Sequence, residues 1–278
     1  MKTFSRKKET TTLTAPRAHG FSVAMIDQFF KPFFGGVFLE PDLQTSSRLF
    51  EYLFKLFAST CCLVYQGMER IPNLLLLLPA DSIRLGTKAA RLESTGLILE
   101  TGERLSAKSI VVATEGPQAA RFLSEIPRPS SRSVTCLYYA AEESPLNEPI
   151  LALNGTGDGP INHCCVPSQV APDYAPPGAA LLSVTVLGKN QTKYYEPLKK
   201  RSGHSWPSGP QALGWKHLKT YHILNAVLAT GAPHPSGLTR PGRISRGLYV
   251  CGDYLNTASI NGAMVSGRVA AEDIEDLR

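Results

Sequence analysis

The closing segment of the chain, Arg246 to Ile274, restricts the possible folds more than any other stretch. Its first part, GLYVCGD, is a short apolar run that ends in Gly252 and Asp253, which is typical of a buried strand with a polar end. Its second part, SINGAMVSGRVAAEDI, carries small residues at helical spacing and predicts a helix from about Ser259–Asn261 to about Asp273. The segment is therefore predicted to form a strand, a turn and a helix that packs closely on a sheet.

The turn and the helix start carry groups that can hold an oxygen-rich ligand. Free N–H groups and the positive dipole end at the start of a helix favour electron-rich oxygens. A carboxylate such as that of Asp253, at the end of a strand, can accept hydrogen bonds from sugar-like hydroxyls. The residues alone are equally compatible with an ordinary structural strand, turn and helix, so both interpretations stay open at this point.

The closing segment resembles the C-terminal flavin-binding segment of the FAD-dependent amine oxidase and phytoene desaturase-like oxidoreductases. The resemblance implies that Gly252 and Asp253 approach the ribityl and pyrophosphate part of FAD. It also implies that the backbone at the helix start approaches the isoalloxazine ring; the residues concerned are Ser259, Ile260, Asn261, Gly262 and Ala263. Three upstream stretches resemble the same family, so that the resemblance covers most of residues 20–278: FFKPFFGGVFLEPDLQTSSRLFEYLFK, GMERIPNLL and SIVVATEGPQAARFL.

A dinucleotide-binding fold also needs a phosphate loop with the pattern G-x-G-x-x-G directly after a strand. The nearest match, GTGDGP after Asn154, has Pro160 where the third glycine is required, and it is interpreted as a turn. Residues 1–20 contain no strand pattern and a single glycine. We therefore expect a family member truncated at its N-terminus, in which FAD binding is weakened or lost.

The expected fold is α/β to α+β: an incomplete FAD/NAD(P)-binding domain of a sheet between helices, interleaved with a substrate domain of helices and a meander or mixed sheet. Within the first helical region, Pro32 and Gly35–Gly36 are predicted to break the helix. The apolar runs 109–114 and 247–252 are predicted to be neighbouring strands of one sheet. The predicted segments are a poorly structured basic N-terminus (1–20), substrate-domain helices (21–62), FAD-domain strands and helix (63–125), the substrate-domain sheet (126–240) with a loop near 189–213, and the FAD-binding strand and helix (241–278).

Composition excludes several classes of protein. The net charge is +6, but the basic residues do not accompany any nucleic-acid reading motif, so no nucleic-acid partner is predicted. No apolar run approaches the ~18 residues of a membrane span, so no transmembrane segment is predicted. The six cysteines include no C-x-x-C pair, which predicts reduced thiols in an intracellular protein and no metal site. The family resemblance alone points to a plastid.

The preferred function is an FAD-dependent oxidoreductase acting on an apolar small molecule, because the region 21–60 is rich in phenylalanine and resembles the family's substrate domain. The flavin carries the chemistry in such enzymes, and no catalytic residue is named. His217 and His222, five residues apart in a strand-like run, are expected on opposite faces of the strand. Two alternatives stay open: an inactive fragment that associates with another chain through an exposed sheet edge, and an FAD-independent binder of apolar ligands.

Overall fold

The computed structural model describes residues 8–57, 62–76, 82–93, 95–146, 148–188, 214–231 and 242–275. The chain divides into two compact units, each built from two separate stretches of sequence. Unit 1 comprises Met1–Leu76 and Ser131–His234, and unit 2 comprises Leu77–Ser130 and Pro235–Arg278. Helices and sheets are mixed, as the sequence predicts for an α/β to α+β protein.

The regular elements follow in chain order. The α-helices are α1 (Thr14–Ala18), α2 (Val23–Met25), α3 (Lys31–Phe38), α4 (Ser47–Leu56), α5 (Arg70–Leu75), α6 (Gly116–Phe122), α7 (Pro167–Val170) and α8 (Ile260–Glu275). The strands are β1 (Ala89–Glu93), β2 (Gly96–Leu99), β3 (Arg104–Ser106), β4 (Ile110–Val112), β5 (Ser131–Ala141), β6 (Ala152–Leu153), β7 (Ile161–Cys165), β8 (Ala180–Leu187), β9 (Lys216–Leu228), β10 (Arg243–Ser245) and β11 (Leu248–Val250). None of the helices among the described residues has the length and apolar composition of a membrane span.

The helices of unit 1 enclose a cluster of aromatic rings. The side chain of Ser22 caps α2 by accepting the N–H of Met25 at 3.2 Å. Ser46 caps α4 in the same way, through the N–H of Arg48 at 3.2 Å. Between α3 and α4 lies a core whose buried rings are Phe30, Phe34, Phe38 and Phe50. The apolar spacing of the sequence thus produces an aromatic core, with polar caps marking the helix starts.

The first helical region is not broken at Pro32 and Gly35–Gly36, so that prediction was wrong. A π-helical turn at Ile26–Phe30 leads directly into α3, which runs through all three residues. Pro32 falls in the first turn of α3, where proline is tolerated. Gly36 is needed for packing against β7, because a Cβ there would lie 2.7 Å from Nδ1 of His163.

Unit 1 also contains one five-stranded sheet in the order β6-β7-β8-β5-β9. Its four pairings are all antiparallel. The apolar residues that alternate along the two central strands face one core; they are Leu137 and Tyr139 on β5, and Leu182 and Val184 on β8. The longest strand, β9, lies at the end of this order.

His217 and His222 lie on the same face of β9, which corrects the sequence-based expectation. The pairing of β9 with β5 shifts by one residue at Leu218, because Tyr138 pairs with Lys219 while Tyr139 pairs with His217. His217 consequently packs on the ring of Tyr139, and His222 bonds the hydroxyl of Thr135 at 3.0 Å. Since Tyr139 and Thr135 are four residues apart on β5, roughly 13 Å of strand separates the two histidines.

Unit 2 contains a small sheet in the order β10-β11-β4 and a separate antiparallel sheet β1-β2-β3. β11 pairs with β4 in parallel, with Leu248, Tyr249 and Val250 opposite Ile110, Val111 and Val112. This pairing confirms the prediction that 109–114 and 247–252 form neighbouring strands. α8 begins at Ile260, within the predicted range, and extends to Glu275, two residues beyond the predicted end.

Candidate functional site

The predicted cofactor residues all lie in unit 2, after the carboxyl end of β11. Since β4 and β11 are parallel neighbours, their carboxyl ends meet at one edge of the sheet. Ligands of open parallel sheets bind at this edge. Gly252 and Asp253 follow β11, and Gly116 opens the helix that follows β4.

Gly252 is tied to α8 by a hydrogen bond. Its N–H donates to Oγ of Ser266 at 3.1 Å, and the Ser266 side chain is buried. The bond fixes the end of β11 against the middle of the helix. The sequence analysis did not single out Ser266, whose only signal is a hydroxyl among the small residues of SINGAMVSGRVAAEDI.

Asp253 begins a 3-10 turn, Asp253–Leu255, directly after Gly252. Its side chain is half-buried. Burial raises the pKa of the Asp253 carboxyl, while hydrogen bonds from the backbone N–H groups of Tyr254 and of Asp253 itself act in the opposite direction. These bonds fix the position of the carboxylate, whose remaining lone pairs can accept hydrogen bonds from ligand hydroxyls.

At the start of α8 the Ser259 side chain forms hydrogen bonds with the backbone of the turn and of the helix. Its hydroxyl accepts the N–H of Gly262 at 3.0 Å and donates to the carbonyl of Thr257 at 3.4 Å. Ile260 and Asn261 are exposed, and their N–H groups have no acceptor among the residues that the structure describes. At the positive end of this sixteen-residue helix, the groups left to bind a ligand are therefore these backbone N–H groups and not the Ser259 side chain.

Gly262 is buried against the turn that precedes the helix. A Cβ on Gly262 would lie 1.8 Å from the carbonyl oxygen of Thr257, so the chain's own fold requires glycine at this position. Ala263, the last predicted residue, is partly buried and donates its N–H to the carbonyl of Ser259 at 3.0 Å. Contact of either residue with a flavin stays a prediction.

The residues at this edge fit one half of FAD. Ile260 and Met264 lie one helical turn apart and are 54% and 46% exposed, which suits the face of an apolar ring. The N–H groups of Ile260 and Asn261 suit the ring's oxygens, and Asp253 suits the ribityl hydroxyls. The sequence contains no glycine-rich loop of the pattern that holds the pyrophosphate half.

In unit 1 burial strongly perturbs the titration of His163. Burial lowers the pKa of His163 to about 4, so the ring is neutral at neutral pH. The amide of Asn162 donates to Nδ1 of His163 at 2.8 Å and to the carbonyl of Pro32 at 2.7 Å. A neutral ring held in this way is a structural group of the β7–α3 contact. The described part of the chain contains no group of three or more His, Cys, Asp or Glu arranged for a metal ion.

Comparison with known proteins identifies the family. The sequence model described as "Flavin containing amine oxidoreductase" matches residues 2–202 and ends before the closing strand and helix. A comparison with curated proteins finds no match.

Three solved structures are similar in fold. An oxidoreductase from Methanosarcina mazei aligns with a TM-score of 0.67 at 14% identity, over 96% of this chain and 69% of its own. Reduced UDP-galactopyranose mutase aligns with a TM-score of 0.61 at 13% identity, over 91% of this chain and 64% of its own. A double mutant of putrescine oxidase aligns with a TM-score of 0.56 at 12% identity, over 96% of this chain and 68% of its own. This chain thus spans about two thirds of the length of these proteins, and it belongs to the flavin-containing amine oxidoreductase family.

Proposed function

We propose that the protein is a flavin-dependent oxidoreductase that holds FAD between the end of β11 and the start of α8. Membership of the flavin-containing amine oxidoreductase family is the observation that carries the proposal. A bound flavin would accept the electrons taken from the substrate. In this scheme the N–H groups of Ile260 and Asn261 orient the ring, and the carboxylate of Asp253 holds the ribityl chain.

We further propose an apolar substrate. Three side chains that touch the rings of the aromatic core of α3 and α4 are 40–46% exposed: Phe21, Phe54 and Phe57. Exposed aromatic side chains of this kind support the binding of an apolar molecule.

FAD binding to the 278-residue chain should be weak. Pyrophosphate normally accepts charge-assisted hydrogen bonds from a glycine-rich turn, each contributing about 1.5–3 kcal/mol. Without such a turn two or three of these bonds are missing. Each 1.4 kcal/mol is about a factor of ten, so the dissociation constant is expected about a thousandfold above that of a complete site.

Titration of FAD into the purified chain, followed by flavin fluorescence, tests the proposal. We expect saturable binding and a loss of about tenfold or more in Asp253→Ala, which removes an ionised acceptor. Asp158→Ala removes the same charge at an exposed position of unit 1 and serves as the matched control. Absence of saturable FAD binding would overturn the proposal, and binding of an apolar fluorescent dye in its place would favour the FAD-independent binder.

Association through a sheet edge is a second candidate, favoured by the surface of β9. This strand ends the order of its sheet and carries four exposed apolar side chains: Leu218, Tyr221, Ile223 and Leu224. Such an edge favours pairing with another chain. Light scattering over a range of concentrations, with Leu224→Lys as the disrupting variant, tests this candidate; a monomer at all concentrations contradicts it.

The plastid location stays a prediction from the resemblance. Import of the full chain, carrying a fluorescent tag at its C-terminus, into isolated plastids would test it directly.

A further inference from the structure

At the edge formed by β4 and β11, a glycine follows each strand: Gly116 after β4 and Gly252 after β11. The ring of Tyr254 lies against both glycines. A Cβ on Gly252 would lie 2.2 Å from the Tyr254 ring. A Cβ on Gly116 would lie 3.1 Å from the Tyr254 ring and 2.4 Å from Pro129. The ring of Tyr254 therefore fills the cradle that these two glycines leave open.

This cradle is where a ligand of a parallel sheet is expected. Binding at the carboxyl ends of parallel strands depends on close approach to the backbone, which glycine permits. Here Gly252 and Gly116 provide that approach at two adjacent strands. In the described structure the ring of Tyr254 makes this close approach to both glycines.

The ring of Tyr254 packs at the partly exposed margin of the unit 2 core, whose buried members include Val112 and Val250. Its hydroxyl donates to the carbonyl of Cys251 at 3.2 Å, which is long for an O–H···O bond. Burial raises the pKa of Tyr254 to about 12, so this hydroxyl remains a donor at neutral pH. Tyr254 is only half-buried, and rotation about its Cα–Cβ bond requires no change in β11 or α8.

We propose that Tyr254 is a movable cover over the Gly252–Gly116 cradle, and that FAD occupies the cradle only after the ring has turned outward. The proposal rests on the proposed flavin function. Only open molecules bind FAD, so the apparent dissociation constant is the intrinsic value divided by the fraction of molecules that are open. If about one molecule in ten is open, the apparent dissociation constant rises about tenfold. Removing the ring should therefore tighten FAD binding, although it removes packing contacts.

FAD titration of Tyr254→Ala, Tyr254→Phe and the unmodified chain tests the cover. We expect Tyr254→Ala to bind FAD about tenfold more tightly. Tyr254→Phe keeps the ring but loses the bond to Cys251, and it should bind about threefold more tightly. Tyr65→Ala removes a 66% exposed tyrosine in unit 1 and should leave the affinity unchanged.

A second measurement checks the ring position without FAD. Gly252→Ala should reduce thermal stability in the unmodified chain and reduce it much less in the Tyr254→Ala background, because the three atoms nearest to the added Cβ all belong to that ring. Equal losses in both backgrounds would overturn the proposed cover.

The outcomes separate the two proposals. FAD binding that is equally tight or tighter in the unmodified chain than in Tyr254→Ala overturns the cover and leaves the flavin function standing. FAD binding to none of the variants overturns the flavin function and the cover together. A general loss of structure in Tyr254→Ala would weaken binding, so a gain in affinity cannot come from damage to the fold.

Discussion

The carbonyl oxygen of Thr257 lies only 1.8 Å from the position that the Cβ of an alanine at residue 262 would take. The turn before α8 therefore packs directly against the helix at Gly262. Backbone atoms cannot rotate away as a side chain can, so relief requires the turn or the helix start to move. The N–H groups of Ile260 and Asn261 belong to this same helix start.

Gly262→Ala is expected to destabilise the protein by about 1–3 kcal/mol, because overpacking against backbone must displace the turn. The matched control is Gly267→Ala, which lies on the same helix and whose Cβ would meet nothing within 4 Å. That change should be neutral or stabilise by up to about 1 kcal/mol, because alanine is the better helix former. Chemical denaturation of both variants checks the difference; equal stabilities would show that the turn yields easily.

A second prediction concerns the ion pair of Arg132 with Glu40, at 3.0 Å, with side chains only 15% and 12% exposed. Arg132 also donates to the carbonyl of Phe38 at 3.0 Å and to Oγ1 of Thr45 at 2.7 Å, which joins β5 to the end of α3. Burial lowers the pKa of the Arg132 guanidinium, and Glu40 opposes this shift. Arg132→Met should destabilise the protein by about 3–5 kcal/mol, since it leaves the Glu40 charge buried without its partner.

Lys31→Ala provides the control for this pair. Lys31 and Asp27 are 2.7 Å apart but 44% and 47% exposed, and loss of such a surface pair changes stability by less than about 1 kcal/mol. Urea unfolding of both variants compares them. A similar small effect for Arg132→Met would mean that solvent reaches Glu40 after the substitution.

The sequence predicted those features that depend on local patterns. The parallel neighbours β4 and β11 followed from two apolar runs that end in small residues, and the start of α8 followed from the cap at Ser259. Hydrophobic period and capping act within a few residues, so a single sequence displays them.

Features set by distant contacts were missed or predicted wrongly. The close packing of α3 at Gly36 involves Asn162 and His163, which are more than 120 residues away in the chain. The face of His217 depends on the irregular pairing at Leu218 with β5. Tyr254 carries no sequence signal of its position over Gly116, because that contact exists only after β4 and β11 pair.

A third prediction is a pH dependence of stability from His163. Its folded pKa of about 4 lies below the ordinary value of 6.5, so between these values the folded protein binds fewer protons than the unfolded chain. The lowered pKa of His163 therefore adds about 3 kcal/mol to the free energy of unfolding. This stabilisation is fully present above about pH 6.5 and is lost as the pH falls towards 4.

His163→Gln should remove this part of the pH dependence. The measurement is the difference in unfolding free energy between the variant and the unmodified chain at pH 7 and at pH 4, with His19→Gln as a control for removing an exposed histidine. A difference that is the same at both pH values would show that His163 is protonated in the folded protein without loss of its contacts.

The last prediction is that FAD and FMN bind the 278-residue chain with dissociation constants within about threefold of each other. The residues assigned to the cofactor, Asp253 and the start of α8, address the ribityl chain and the ring, which the two flavins share. FAD adds a second phosphate and an adenosine, and the sequence supplies no glycine-rich loop to receive them. A complete dinucleotide site would prefer FAD by several charge-assisted hydrogen bonds, which is a hundredfold or more at about 1.5–3 kcal/mol each. Parallel titrations of FAD, FMN and riboflavin measure this preference, with riboflavin reporting the ring and ribityl contribution alone. A hundredfold preference for FAD would mean that residues of this chain other than Asp253 and the start of α8 hold the pyrophosphate.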